Sequence, residues 1–446
     1  MLCVLVICIT FKLILGYLLR VKLDFDRARL GNAIAPYIMS TKCGNKLDIK
    51  FIKYCSNFML LFISLLTICI ISRAEVDFFI PCIPDLQQKF GLSSFMAQLS
   101  LSLNFIGYCI GILLSGILGD KFNYRTIILY HLLFFILATL LCVITSNYKF
   151  FLLGRFIQGI SIASPTILIY AILIEHSKFN NRLKKLGYIN GLLALSMVII
   201  PTIGSHLGLY SHWRLNFFVL LCLSILAMLL SNKTIQSNRN LNNTSSISLK
   251  SYLPLLKSRK ILLFIASLCF MITPYWIFIS MSSIYYVNDL GLPLIEYVYH
   301  KDILAIIFGV VSIMNGLLIK NWGGKNCLFL SIGLCLLSII CLIMIISWNI
   351  NEPVIITSAM AILASGAAFL INFLYANALS ITEHDIGKIS ALIHSVRLIL
   401  TSLSLSLVSK LYCGNFTVIG IALIIMLFTG ILLVTYLYKL DILKGV

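Results

Sequence analysis

The sequence predicts an all-α polytopic membrane protein with twelve transmembrane helices in two six-helix halves. First, 60% of its 446 residues are hydrophobic and only 11% are charged, a balance foreign to soluble domains. Second, the apolar residues are concentrated in runs of about 18 residues or more, the length that a helix needs to cross a bilayer. Third, one long polar stretch, residues 231–260, divides these runs into two sets of six.

Residues 1–55 form a predicted N-terminal extension with a hydrophobic first segment. Residues 1–19 are apolar apart from Lys12, and residues 20–55 are basic and mixed. No small-residue cleavage site follows the apolar segment, as a signal peptide would require. We interpret the stretch as a cytoplasmic extension. The sequence leaves open whether it is a thirteenth span, an amphipathic segment or the product of an upstream start.

The twelve spans follow in order, and the polar stretches between them define the domains. The first half covers residues 56–230, the linker 231–260, the second half 261–438 and a cytoplasmic tail 439–446. The linker is rich in Asn, Ser and Lys, as a chain joining two bundles should be. The predicted spans are 56–80, 95–118, 126–146, 150–174, 186–209, 214–230, 261–287, 296–319, 327–348, 353–378, 387–409 and 415–438.

The basic residues of the loops predict the orientation of the chain. Loops that follow even-numbered spans carry fifteen Lys and Arg residues. Loops that follow odd-numbered spans carry five, namely Lys89, Lys149, Arg214, Lys301 and Lys410. Because cations collect on the cytoplasmic side, both termini are expected in the cytoplasm. Topology also explains the formal charge of +19, so we expect no nucleic-acid partner.

A short charged turn, Gly116-Ile-Leu-Gly-Asp120-Lys121-Phe-Asn-Tyr-Arg125, joins the second and third spans. Asp120 lies at the water boundary, where it can accept a hydrogen bond from a neighbouring helix end. Lys121 and Arg125 hold the turn in the cytoplasm. A weaker copy without the aspartate, Gly316 to Lys325, follows the eighth span. We predict that the turn gates the cytoplasmic side and does not touch substrate.

This turn resembles the loop between helices two and three of the major facilitator superfamily, G-x-x-x-D-(R/K)-x-G-(R/K)-(R/K). Asn123 replaces the glycine of that pattern and Tyr124 replaces one basic residue. Asn tolerates a left-handed backbone better than most residues, so the turn is expected to survive the change. The resemblance implies two six-helix halves around a central cavity that opens to each side in turn.

Three charges lie within five residues at the end of the first span: Arg73, Glu75 and Asp77. Charges inside a span are costly, so they favour a functional role. Arg73 and Asp77 share one helix face, whereas Glu75 points the other way. The alternative is that these residues merely end the helix at the outer interface, as Pro81 and Pro84 suggest.

The pattern D-x-x-x-P-x-x-P that begins at Asp77 resembles the D-M-Y-L-P-A-L-P signature of the bicyclomycin-resistance type (Bcr/CflA) drug:proton antiporters. That group implies proton-driven export of small amphipathic compounds, with Asp77 as the first candidate for proton coupling and Glu75 as the second. Further segments resemble the same group: Gln98 to Ser102, Arg155 to Gly159, Pro201 to Gly204, Trp213 to Phe217, Tyr275 to Ser282 and Gly387 to Leu392.

In or next to these segments, four side chains are expected to line the cavity: Asn104, Arg155, Gln158 and Tyr275. For Arg155 a structural cap with a snorkelling side chain is an equally good interpretation. Pro201 and Gly204 are expected to kink and thin the fifth span for close packing.

His394 and Arg397 depart from the group, which usually carries small or amide residues there. They lie three positions apart and share a face of the eleventh span. If that face lines the cavity, anionic or zwitterionic solutes are favoured over cationic ones. The alternative is that Arg397 pairs with Asp77 or Glu75 and locks one conformation.

Two other function classes stay open. The same fold supports an uptake symporter for a nutrient or osmolyte. A membrane-embedded enzyme or scaffold would need a convergent set of His, Ser or Asp, which the sequence lacks, so we expect no enzyme. Without a Walker loop, G-x-x-x-x-G-K-(S/T), ATP is not the driving force. We expect a monomer in the bacterial cytoplasmic (inner) membrane, with a small-molecule substrate, protons and the lipid bilayer as partners and no metal or other cofactor.

Overall fold

The computed structural model describes residues 44–175, 200, 203–204, 207, 213–235, 252–381, 386–440 and 443. All regular elements in this part of the chain are helical, and ten of its helices are long and apolar enough to cross a membrane. The predicted fold class is therefore confirmed. The helices are α1 Gly44–Asp77, α2 Ile83–Phe90, α3 Ser94–Lys121, α4 Tyr124–Ile144, α5 Tyr148–Glu175, α6 Arg214–Thr234, α7 Leu253–Lys257, α8 Arg259–Ile284, α9 Leu294–Trp322, α10 Gly324–Ser347, α11 Pro353–Leu379, α12 Ile386–Leu411 and α13 Phe416–Lys439.

Most predicted spans coincide with one long helix each. The first span corresponds to α1, which begins well before residue 56, and the sixth to α6. The fifth span, residues 186–209, lies outside the described residues apart from four isolated positions. Residues 1–43 of the predicted extension and residues 236–251 of the predicted linker also lie outside them. We call α1–α6 the first helix group and α8–α13 the second.

Proline and glycine set the helix ends that follow α1. Pro81 is the second residue of the short 3-10 turn Ile80–Cys82, and Pro84 lies in the first turn of α2. A proline ring is tolerated in these first positions, because the N–H that it lacks would have no partner within the helix there. Gly91 then ends α2 with a left-handed backbone, φ 61°. The second helix group has a similar glycine, because Gly291, with φ 67°, lies three residues before the start of α9 at Leu294.

The turn between α3 and α4 is as short as predicted, but its backbone differs from the prediction. Asn123 has φ −63° and ψ 135°, so the expected left-handed conformation is wrong. Asn123 instead occupies the N-cap position of α4, where an extended backbone is the normal one. In the related turn between α9 and α10, Gly323 does adopt a positive φ of 81°.

Glycines bring α3 and α5 into close contact. A Cβ atom on Gly159 would lie 2.1 Å from the carbonyl oxygen of Asn104, and one on Gly107 would lie 2.3 Å from that of Phe156. Small residues permit this approach of two backbones within a membrane. The contact places Asn104 directly beside the helix that carries Arg155.

The two helix groups meet at the end of the bundle that contains α2, the start of α3 and the end of α12, here named the α2 end. The Ser102 hydroxyl donates to the Ser402 carbonyl oxygen at 3.3 Å, and the Ser402 hydroxyl donates to that of Ser102 at 3.0 Å. Gln98 Nε2 donates to the carbonyl oxygen of Ser280 at 2.7 Å. These bonds join α3 to α12 and α8, so the α2 end is closed.

The apolar core follows the same division. At the α2 end, Phe79 and Phe217 of the first helix group belong to one continuous core with the second group. Toward the opposite end, Leu65, Ile128 and Ile169 belong to a separate core within the first group. The shared core therefore binds the two groups together mainly at the α2 end.

Candidate functional site

A buried ion pair lies at the centre of the first helix group. Arg155 Nη1 is 3.7 Å from Glu75 Oε1, and neither side chain is exposed. Asn104 Nδ2 donates to the same carboxylate oxygen and, at 3.0 Å, to the backbone oxygen of Arg155. Each buried charge is thus accompanied by a partner of opposite sign and by a hydrogen bond, which lowers the cost of burial.

The pair continues into a network of polar and aromatic side chains. Arg155 Nη1 donates to Gln158 Oε1 at 2.9 Å, and Gln158 Nε2 donates to Thr139 Oγ1 at 2.8 Å. The Arg155 guanidinium also lies 4.4 Å from the ring centre of Phe79 and 5.8 Å from that of Phe217. Arg155 and Gln158 are fully buried inside the first group, so a solute reaches them only if the network opens.

A second charged contact joins the two helix groups. Lys301 Nζ, on α9, donates to the backbone oxygen of Asp77 at 3.2 Å. The carboxylate of Asp77 lies within electrostatic range of Lys301 and, more weakly, of Arg73. Asp302 lies within electrostatic range of Lys301 as well. Asp77 therefore lies between helices of different groups, whereas Glu75 points into its own group.

Lys301 corrects the predicted assignment of a loop cation. It is 3% exposed and lies inside α9, within one of the candidate membrane spans. The sequence did carry a signal, because Lys301 and Asp302 are adjacent charges within the predicted span 296–319. Adjacent opposite charges inside an apolar run are too costly to face lipid and indicate a functional or partner-facing position.

Two arginines and a histidine approach one another between the helix groups: Arg73 on α1 and His394 and Arg397 on α12. Arg397 and His394 both lie within electrostatic range of Arg73. All three side chains are half-buried. Within the described part of the chain, no ion pair joins any of them to a carboxylate. In this conformation Arg397 therefore forms no ion pair with Asp77 or Glu75, the alternative that the sequence left open.

Two tyrosines, Tyr375 and Tyr108, lie beside His394 and Arg397. Tyr375, on α11, lies with its hydroxyl 3.4 Å from His394 Nε2 and 2.7 Å from the Ser390 hydroxyl. Tyr108, on α3, lies within electrostatic range of Arg397. The Tyr108 hydroxyl is also 3.4 Å from the Ser72 hydroxyl of α1. Helices of both groups thus contribute to the surroundings of Arg397 and His394.

Tyr275 belongs to a row of aromatic rings. Its ring centre is 5.2 Å from that of Phe308 and 6.3 Å from that of Trp276. Trp276 in turn lies 6.0 Å from Phe105 of α3, edge to face. The row crosses from α9 and α8 to α3, and so from the second helix group to the first. Tyr275 and Trp276 keep part of their surface exposed.

The charged turn between α3 and α4 contacts a helix end of its own group. Arg125 Nη2 donates to the side-chain oxygen of Asn232 at 2.7 Å and to its backbone oxygen at 3.1 Å. Asn232 lies near the end of α6, so Arg125 ties α4 to that end. Lys121 is exposed. Gly116 and Asp120 lie in α3, and the surroundings of their side-chain positions are outside the described residues.

Pro201 and Gly204 are the residues predicted to kink the fifth span. Gly204 is among the described residues, and Pro201 lies outside them. A Cβ atom on Gly204 would lie 2.3 Å from Cδ1 of Phe78, so the chain approaches α1 closely at this point. Asn216 Nδ2 donates to the Gly204 carbonyl oxygen at 3.4 Å and to that of Phe78 at 2.8 Å.

Two helix groups that meet around charged side chains, inside a bundle of membrane-spanning helices, are the architecture of a secondary transporter. A family model described as Major Facilitator Superfamily matches residues 65–405. The chain belongs to this superfamily. It is a multi-pass membrane transporter of small molecules and not an enzyme.

Known proteins confirm the predicted resemblance. The bicyclomycin resistance protein homolog of Haemophilus influenzae is 25% identical over 286 residues, which are 62% of this chain and 71% of that protein. The multidrug resistance protein MdtL of Klebsiella pneumoniae is 26% identical over 156 residues, or 35% of this chain and 40% of MdtL. The inward-open xylose transporter XylE from E. coli matches in fold, with a TM-score of 0.65, 14% identity, and 86% of this chain and 96% of XylE covered.

Proposed function

We propose that the protein is a proton-driven exporter of small amphipathic compounds that works by alternating access in a bacterial inner membrane. The observation that carries the proposal is a contact between the helix groups at Asp77: Lys301 Nζ donates to the backbone oxygen of Asp77, and the Asp77 carboxylate lies within electrostatic range of that ammonium. The names of the bicyclomycin-resistance and multidrug-resistance relatives support the substrate type.

With both termini in the cytoplasm, the closed α2 end faces outward. The described conformation is then the one that receives substrate from the cytoplasm. Opening the α2 end requires breaking the serine contacts between α3 and α12 and the bond from Lys301 to Asp77. Both helix groups lie within one chain, so one copy supplies the whole pathway and the transporter functions as a monomer.

The proton acts at Asp77 by changing its attraction for Lys301. An ionised Asp77 attracts the ammonium of the opposite group and holds the α2 end closed. Protonation of Asp77 removes this attraction, so proton binding at Asp77 and opening of the α2 end are linked. Glu75 is the second candidate, but a proton reaches its carboxylate only when the network with Arg155 and Asn104 rearranges.

Transport in membrane vesicles of both orientations tests the proposal. In inside-out vesicles with an inward-acidic gradient, an exporter accumulates an amphipathic substrate, and a proton uncoupler abolishes the accumulation. In right-side-out vesicles the same substrate should not accumulate. Accumulation only in right-side-out vesicles would overturn export. Accumulation that ignores the uncoupler would overturn proton drive.

Proton-coupled uptake is the second candidate function, and the two arginines between the helix groups, Arg73 and Arg397, favour it. Like charges repel, so an anion bound near Arg73 and an ionised Asp77 disfavour each other. An anionic cargo and a proton would then bind together, which is the linkage of a symporter. The two vesicle orientations separate this candidate from export.

A further inference from the structure

Arg73, Arg397 and the adjacent His394, here named the cation cluster for the two arginines, form no ion pair with a carboxylate in the described part of the chain. Of the three, Arg73 has the Asp77 carboxylate within electrostatic range. All three are half-buried between the helix groups, and the buried Nε of Arg397 has no hydrogen-bond partner. Arg73, Cys269, Tyr108 and Tyr375 lie within electrostatic range of Arg397, and none of these four is acidic. By contrast, Arg155 forms an ion pair with Glu75, and Lys301 lies within electrostatic range of the Asp77 carboxylate.

Uncompensated cations at membrane depth are costly, and partly buried ones retain an attraction for an anion. The cost is tolerated where a ligand supplies the opposite charge. Arginine presents a planar fork of donors that matches the two oxygens of a carboxylate. The cation cluster offers two such forks, Arg73 from the first helix group and Arg397 from the second. His394 lies on α12, one turn from Arg397.

An apolar surface lies beside the cluster, toward the α2 end. Phe105, Tyr275 and Trp276 are here named the aromatic wall. Phe105 lies about one helical turn from Tyr108, and Tyr275 lies nearly two turns beyond Cys269. Tyr108 and Cys269 lie within electrostatic range of Arg397. Moving along α3 from Tyr108, or along α8 from Cys269, therefore leads from the cation cluster to the aromatic wall. The charged and aromatic surfaces are therefore at different depths along the same pathway.

We propose that the cation cluster and the aromatic wall together bind an amphipathic organic anion, an aromatic carboxylate whose acidic group lies between Arg73 and Arg397. The ring of the ligand packs against the aromatic wall, where offset or edge-to-face contacts are favourable. The inference rests on the proposed transport function, and its binding test does not depend on the direction of transport. It makes aromatic carboxylates, and not cationic drugs, the preferred cargo.

Equilibrium binding to the purified full chain in lipid nanodiscs tests the inference without any gradient. Three probes share one ring system and differ in charge: naphthoate, naphthylmethylammonium and naphthylmethanol. We expect naphthoate to bind most tightly. Arg397→Gln should weaken naphthoate binding about tenfold or more, as the loss of a charge-assisted hydrogen bond implies, and change naphthylmethanol binding less than about twofold. Arg397→Lys keeps the charge without the fork and should fall between the two.

Arg259→Gln is the matched control. Arg259 is an exposed arginine whose Nη2 donates to the Tyr436 hydroxyl at 3.0 Å, and its removal should leave all three probes unchanged. If Arg397→Gln does not yield folded protein, Arg73→Gln tests the opposite side of the same cluster with the same expected loss. The inference is overturned if naphthoate binds no more tightly than naphthylmethanol, or if a folded variant of either arginine keeps full naphthoate affinity.

This outcome is separable from that of the proposed function. If naphthoate binding depends on Arg397 but vesicles show no proton-driven flux, the proposal of proton-driven transport is rejected and the proposal of the anion site stands. Proton-driven export of naphthylmethylammonium by a protein that does not bind naphthoate would keep the export function and remove the anion site.

Discussion

Asp77 and Glu75 are two positions apart on α1 and have different surroundings. Glu75 is enclosed in its own helix group with Arg155 and Asn104, whereas Asp77 lies near Lys301 of the other group. The difference follows from helix geometry, because residues two apart face nearly opposite directions. A proton at Asp77 therefore changes a contact between groups, and a proton at Glu75 changes the interior of one group.

Asp77→Asn should abolish proton-driven transport and leave substrate binding largely intact. The amide keeps the size of the side chain but removes the charge that attracts Lys301. Glu296→Gln is the matched control, because Glu296 is an exposed carboxylate in the first turn of α9. Flux under a proton gradient, at equal expression, is the measurement. Wild-type drive in Asp77→Asn would remove Asp77 from the mechanism.

Arg155→Gln should lower the free energy of unfolding by about 3–5 kcal/mol, because it leaves the buried Glu75 charge without its partner. Removing both charges, in the double variant Glu75→Gln with Arg155→Gln, should cost less than removing Arg155 alone. Thermal unfolding in detergent compares the three proteins. A double variant less stable than Arg155→Gln would show that the ion pair is not what makes the single change costly.

The close contact of α3 with α5 depends on glycines, which have no side chain to separate the two backbones. Gly159→Ala should destabilise the protein by about 1–3 kcal/mol, the usual cost of overpacking, because the added Cβ meets backbone atoms that have no freedom to move. Gly333→Ala in α10 is the matched control, since its Cβ would meet no atom within 4 Å. Equal melting temperatures of the two variants would refute the close approach.

The charged turn between α3 and α4 is an element whose role we still predict from the sequence. Asp120→Asn should lower the turnover number and change substrate affinity little, because the turn lies at the water boundary, far from the depth where transporter sites form. Initial rates over a range of substrate concentrations separate the two effects. A large loss of affinity at normal turnover would place the turn in the binding site instead.

For the molecule as a whole, the sequence predicts the fold well and the site only in part. Long apolar runs identify membrane helices locally, so most spans coincide with helices. Which face of one helix meets which face of another is not local. The shared face of His394 and Arg397 follows from their spacing, but the approach of Arg73 from α1 depends on how the two groups pack. A count of loop cations misplaces Lys301, because this residue lies inside the predicted span 296–319.

Closure of the α2 end should depend on the charge of Asp77. In a cysteine-depleted background, spin labels at Gln88 on α2 and at Glu296 on α9, both exposed, report the distance between the helix groups at this end. Without the attraction between Asp77 and Lys301, the open population should grow about tenfold for each 1.4 kcal/mol or so that is lost. Asp77→Asn should therefore shift the distance distribution toward longer values. A distribution identical to that of the wild type would contradict control of the outer closure by this proton site.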